Sequence, residues 1–109
     1  IYSAARLWDR AIRESRAAVE TNPEDSSLLV ELGSVLLKAG NAAEAEEPLR
    51  QAGELNPRDA RTPYLLGQAL AQLHRPEEAR AAFGRFMAVA PSSFSAQVSE
   101  ARAWLDNHP

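Results

Sequence analysis

The sequence predicts an all-α chain: an array of stacked helix-turn-helix repeats, an α-solenoid, closed at its C-terminal end by a capping helix. Three observations carry that prediction. Pro23, Pro57 and Pro91 lie 34 residues apart, and Ala11, Ala45 and Ala79 precede each of them by twelve. The dipeptide Leu32-Gly33 recurs at the same interval as Leu66-Gly67. Within a period the apolar residues Leu28, Leu29, Leu32, Val35, Leu36 and Ala39, then Ala42, Ala45, Leu49, Ala52 and Leu55, follow helical spacing rather than strand alternation. A fixed period of this length means one supersecondary unit used repeatedly.

Aligned on the period, residues 1–109 form one domain: a partial repeat at 1–25, repeats at 26–59 and 60–93, and a cap with tail at 94–109. Helices are expected near 7–21, 26–39, 42–55, 60–73, 76–89 and 94–105, with a helical remnant at 1–5. Asp25, Asp59 and Ser93 stand in equivalent slots before three helices, each with an oxygen suited to capping free N–H groups. Gly40 ends one helix and Asn41 opens the next, with Glu44 three residues on as a near capping box. His74 holds the slot of Gly40 in the following repeat. Pro76 suits a first helical turn, and Glu77 and Glu78 behind it suit the helix dipole. Pro48, further inside its helix, should remove a hydrogen bond or bend the axis. Gly33 and Gly67 weaken a helix by about 1 kcal/mol relative to Ala; their expected use is a close crossing against Ala45 and Ala79. From Phe94 onward the pattern becomes one-sided, with Gln97 and Glu100 where core residues are due, as a solvent-facing cap requires.

Composition bounds the chemistry. With 45% apolar and 25% charged residues, the chain is of the soluble globular class. Twelve basic and 15 acidic residues give −3 with the bases dispersed, which argues against nucleic acid. No apolar run approaches the roughly 20 residues of a membrane span, so no direct membrane insertion is expected. There is no cysteine, which removes disulfides and thiolate chemistry. His74 and His108 lack partners at ligand spacing, and Glu44 and Glu47 beside a helix start read as dipole partners rather than an acid–base pair. Arg6, Arg10, Arg13 and Arg16 are interleaved with Asp9 and Glu14, so intrahelical pairing is expected. No catalytic, cofactor-binding or metal-binding residue is assigned, and the chain is not expected to be an enzyme. Eleven arginines against the single Lys38 suggest a bacterial protein, cytoplasmic or periplasmic.

The motif Leu29-x2-Leu32-Gly33-x2-Leu36, Ala45-x3-Leu49, Pro57, repeated as Pro63-x2-Leu66-Gly67-x2-Leu70, Ala79-x3-Phe83, Pro91, resembles the tetratricopeptide repeat family over nearly the whole chain. The resemblance implies a right-handed superhelix whose first helices line a concave groove that holds a protein or peptide partner. Carried onto this sequence, the groove is Val30, Glu31, Ser34 and Lys38, then Arg61, Tyr64, Leu65, Gln68 and Gln72, then Val98 and Arg102. Val30, Tyr64 and Val98 share one slot in three successive helices, an apolar ladder, with Ser34, Gln68 and Arg102 as a polar ladder beside it. Tyr64 is expected to be its exposed centre. The subtype that clamps a C-terminal carboxylate is disfavoured, because Val30 and Ser34 replace its basic and amide side chains. A scaffold or assembly role follows. The alternatives are self-association through an open N-terminal end, or an accessory region of a larger enzyme.

Overall fold

A computed structural model of the chain describes residues 4–108. All the regular structure among them is helical: α1 (Ala4–Thr21), α2 (Ser26–Lys38), α3 (Ala42–Leu55), α4 (Arg61–Gln72), α5 (Pro76–Val89) and α6 (Ser95–Asn107), with a 3-10 turn at Ser92–Phe94. α2 pairs with α3 and α4 with α5 as two hairpins. α1 lies on α2, α3 on α4, and α2 also touches α4, while α6 closes on α5. These contacts run within a hairpin or between adjacent repeats, as in a stack of repeats.

The expected remnant at residues 1–5 is not a separate helix where it is described. Ala4 and Ala5 begin α1; residues 1–3 lie outside the described residues. The run Ala4-Ala5-Arg6-Leu7 holds only good helix formers, so nothing there stops the helix.

The turns inside the hairpins are alike. Gly40 (φ 87°) and His74 (φ 57°) both take the left-handed conformation. In the first turn the Asn41 N–H donates to Leu36 O at 2.8 Å and Gly40 N–H to Leu37 O at 3.0 Å. In the second, Arg75 N–H donates to Leu70 O at 3.0 Å and His74 N–H to Ala71 O at 3.1 Å. This paired pattern satisfies the last helical carbonyls. Asp25 caps α2 as expected, accepting from Ser27 N at 3.0 Å and Leu28 N at 3.4 Å. Asp59 accepts from Arg61 N at 3.0 Å. Two expected caps are absent. Ser93 sits inside the 3-10 turn, and Asn41 makes no side-chain cap bond. Glu44 reaches Arg16 Nη2 at 2.7 Å instead of closing a capping box.

The close crossings exist, but with different partners from those expected. A Cβ on Gly33 would fall 2.5 Å from Leu49 Cγ, and one on Gly67 would fall 2.7 Å from Phe83 Cε1. Ala45 and Ala79 are fully buried one turn earlier; the glycines make room for the larger side chains that follow. Leu36, Leu49, Leu70 and Phe86 fill the centre of the core. α6 adds Ala101, with Phe94, Val98 and Leu105 partly buried against the same cluster, the one-sided cap that was expected.

Gly67→Ala should therefore destabilise the fold by about 1–3 kcal/mol through overpacking on the Phe83 ring. Gly84→Ala, in α5 with no atom within 4 Å of its Cβ position, should stabilise by about 0.5–1 kcal/mol. Denaturant titration of both variants checks the contrast; equal signs would refute the assigned crossing.

Candidate functional site

The expected groove residues of α2, α4 and α6 divide into two sets. Val30 is 2% exposed and belongs to a buried cluster with Leu29 and Ala52, against which Leu65 packs. Val98 is half-buried against the main core. Tyr64 is half-buried too, correcting its expected exposure. Its ring centroid lies 5.2 Å from that of Phe86 and 6.4 Å from that of Phe83. The 30/64/98 ladder is thus a packed seam, with Val30 buried and Tyr64 and Val98 half-buried. Apolar residues in one slot of consecutive helices are what repeat-to-repeat packing needs, and burial there outweighs display.

Polar residues complete the seam. The Tyr64 hydroxyl donates to the Glu100 carboxylate on α6 and accepts from Gln68 Nε2 at 2.9 Å. Burial, then the Glu100 hydrogen bond and charge, push the Tyr64 phenol well above its usual 10.0. Arg61 is exposed, but its guanidinium folds back on Asp59, with Nε at 3.0 Å from Oδ1 and Nη2 at 2.7 Å from Oδ2. That bidentate bond holds the Asp59 carboxyl below its usual range and commits Arg61 to the start of its own helix.

Three of the remaining residues, Lys38, Gln68 and Gln72, come together. A cleft of about 330 Å³ opens between the ends of α2 and α4 and the side of α6. Leu37, Ala71, Phe83 and Trp104 supply its apolar lining, and Lys38, Gln68, Gln72 and Glu100 its polar groups. Arg102 is exposed on α6, Ser34 is half-buried on α2, and neither lines this cleft. Glu31 is exposed but lines a different cleft, between α1 and α2. Glu100 and Trp104 were not among the expected site residues. Trp104 stands 5.1 Å from Phe83 and stacks on His108 at 4.1 Å, a packing role with its outer face left on the cleft. The signal for Glu100 was a carboxylate in core register, explained by the buried phenol it covers.

Charged residues on the opposite face hold the second helices in register. Arg16 on α1 meets Glu44 on α3 at 2.7 Å, and Arg50 on α3 meets Glu78 on α5 at 3.3 Å. These two pairs are the same pair one repeat apart. Glu46 takes Arg75 at 2.6 Å as well as Arg50; burial alone would raise its pKa, but hydrogen bonds and charge from both arginines hold it lowered. On α1 only Arg10 shows the expected intrahelical pairing, with Glu14 at 3.0 Å, since Arg16 reaches across to α3.

The hairpin pair with its glycine crossings and 34-residue register agrees with known proteins. Residues 3–86 match the family model described as anaphase-promoting complex, cyclosome, subunit 3. A TPR repeat-containing protein of Dictyostelium discoideum is 33% identical over 66 residues, which is 61% of this chain and 25% of that protein. The chain belongs to the tetratricopeptide repeat family. It spans about a quarter of the length of that Dictyostelium relative. Solved tetratricopeptide-like structures share the fold at low identity. The Yersinia enterocolitica type III secretion chaperone SycD, in complex with a peptide of the translocator YopD, superposes with TM-score 0.87 at 16% identity over 93% of this chain and 79% of that one. PcrH with the chaperone-binding region of PopD gives 0.85 at 21%, covering 94% and 79%. The first TPR of Spaghetti, bound to an HSP90 peptide, gives 0.81 at 23%, covering 93% and 79%.

Among the described residues of this tetratricopeptide-repeat chain no group of His, Asp or Glu is placed to hold a metal ion. No described helix is long and apolar enough to cross a membrane. The one strongly shifted group in the seam makes a pH prediction. A phenol whose folded pKa is raised adds stability that is fully present below its usual 10.0 and lost as pH rises beyond it. Denaturation midpoints followed across that value should fall more steeply for the wild type than for Tyr64→Phe. Parallel curves would mean that the hydroxyl is not held as described. Tyr64→Ala should lower stability at neutral pH by about 2 kcal/mol, because the ring is packed.

Proposed function

We propose that the chain is a non-catalytic module that holds an extended or helical segment of a partner protein along the face of α2, α4 and α6. The observation that carries this reading is the apolar-floored cleft between Leu37, Ala71 and Trp104, rimmed by Lys38, Gln68 and Gln72. An apolar depression with few polar groups at its edge is suited to burying one or two side chains while hydrogen-bonding the flanking backbone. The bound peptides of SycD, PcrH and Spaghetti support the same class of ligand. Ser34 and Arg102 extend the face on either side, and a scaffold or assembly role is the use proposed for it. The anchor moves from Tyr64 to the Ala71–Trp104 floor, since Tyr64 is committed to the seam.

Gln72 and Lys38 are exposed at the rim, so Gln72→Trp and Lys38→Glu should each change stability by no more than about 0.5 kcal/mol. Gln72→Trp places an indole over the cleft and should weaken peptides selected by display on the wild-type chain by roughly tenfold or more. Lys38→Glu should shift the selected peptides away from acidic residues. Equal recovery of the same peptides by wild type and both variants would show that this face is not the working surface.

A further inference from the structure

Between α3, the α3–α4 turn and the last turns of α5 lies a pocket of about 400 Å³. The same junction one period earlier is filled. There Val19 packs on the cluster of Leu29, Val30 and Ala52, and Leu29 is 1% exposed. At the later junction Gly53 stands in the slot of Val19 and Pro63 in that of Leu29. An isopropyl group is deleted and an isobutyl group is exchanged for a compact ring. Thr62, in the slot of Leu28, is 3% exposed and keeps a buried hydroxyl with no hydrogen-bond partner among the described residues. Leu49, in the slot of Ser15, adds apolar floor instead. Close packing alone favours the residues of the earlier junction, so this set calls for another reason.

The remaining walls are apolar as well. Leu66 is buried, and Val89, 44% exposed, leaves apolar surface in water. Pockets of roughly 300–1,000 Å³ with an apolar lining and few polar groups are the form that small-molecule sites take. Further repeats would stack beside α1 or α6, and neither helix lines this pocket.

Four charged side chains also border it. Two are committed elsewhere, Arg50 to Glu46 and Glu78, and Asp59 to Arg61. Glu54 and Arg85 are exposed and make no ion pair or hydrogen bond among the described residues, with each other or with any other group. One free charge of each sign decides the ligand's head. An anion alone would meet Glu54 as well as Arg85, and a cation alone would meet the reverse. An uncharged body would strip water from both charges without replacing it. A head that carries both an ammonium and a carboxylate answers both.

We propose that this pocket binds a small zwitterion with an apolar body, of the chemistry of an apolar amino acid or dipeptide. The body lies between Leu49, Leu66 and Val89, the carboxylate on Arg85 and the ammonium on Glu54. The site shares no lining residue with the cleft between α2, α4 and α6, so either reading can fail without the other.

Isothermal calorimetry on the whole chain tests it with leucine, leucyl-leucine and the N-acetylated amide of each, which keeps the body and removes both charges. At least one zwitterion should bind with a Kd of about 1 mM or tighter, and its capped form about tenfold more weakly. The tighter of the two zwitterions tells an amino acid from a dipeptide. Gly53→Val restores the side chain of the earlier junction. Its Cβ would stand 3.4 Å from Thr62 Cγ2, an ordinary contact, so the helix accepts it and binding should be lost. Arg85→Gln, which copies Gln51, and Glu54→Gln should each weaken the zwitterion about tenfold and leave the capped probe unchanged. Gln72→Trp, at the other cleft, should change nothing. The proposal is overturned if neither zwitterion binds at about 1 mM, or if binding survives Gly53→Val. It is also overturned if the capped probes bind as tightly as the zwitterions, because the pocket would then seat an apolar side chain of a partner segment. Should Gly53→Val not fold, equal binding by wild type, Arg85→Gln and Glu54→Gln overturns it in its place.

Discussion

Two missing side chains set the geometry on which the rest of the molecule depends. Helix axes normally pack 8–10 Å apart according to the residues at the contact, and Gly33 and Gly67 let Leu49 and Phe83 lie directly on the facing backbone. The second crossing carries more than its own hairpin. Phe83, seated over Gly67, is the surface on which Tyr64 and Trp104 rest. Tyr64 and Trp104 in turn fix α6 through Glu100 and through their rings. The cleft beside α6 is therefore built on Gly67, although Gly67 takes no part in lining it.

Features of the backbone were legible in the sequence, and the rotation of the helices about their axes was not. The period, the glycines and the prolines reflect constraints that only particular residues meet, and they place five of the six helices to within a residue or two at most ends. Val30 and Tyr64 show where such reading stops. An apolar residue recurring every 34 positions on a first helix is demanded equally by a seam between repeats and by a ligand groove. The two lie a fraction of a turn apart. Periodicity cannot separate them; the contact of α2 with α4 does. Arg61 is governed by a local contact that no period reveals, the bidentate bond offered by Asp59 two residues earlier. Lys38 and Gln72 stay exposed beside the cleft because no seam or cap claims their end of the helices.

The paired charges between second helices select an arrangement more than they strengthen it. Their side chains are 45–59% exposed, and pairs so hydrated contribute about 0–1 kcal/mol. Yet the same Arg and Glu slots recur at both junctions, so sliding one second helix along the next would break both pairs at once. Apolar stripes of Ala and Leu tolerate a slip poorly but do not forbid it, because one turn of such a stripe resembles another. Arg16 and Glu44 form one cross-helix pair, whereas Arg50 and Glu78 share a network with Glu46 and Arg75, and both arrangements favour a single register.

The α6 face and the α1–α2 face differ in makeup. At the C-terminal end, residues in core register have become polar or aromatic: Glu100 satisfies the Tyr64 hydroxyl, Trp104 covers Phe83, and Arg80 Nε donates to His108 O at 3.0 Å. A face treated in this way meets water without losing burial elsewhere. The α1–α2 face sets Leu28 and Val35 among alanines, with Ser15 and Glu31 standing where Leu49 and Leu65 stand one period later. The core positions that carry Glu100 and Trp104 on α6 thus differ in kind from the small and aliphatic residues of the α1–α2 face, and each set is explained by what it touches: a phenol hydroxyl and an aromatic ring in the one case, a cleft between two helices in the other.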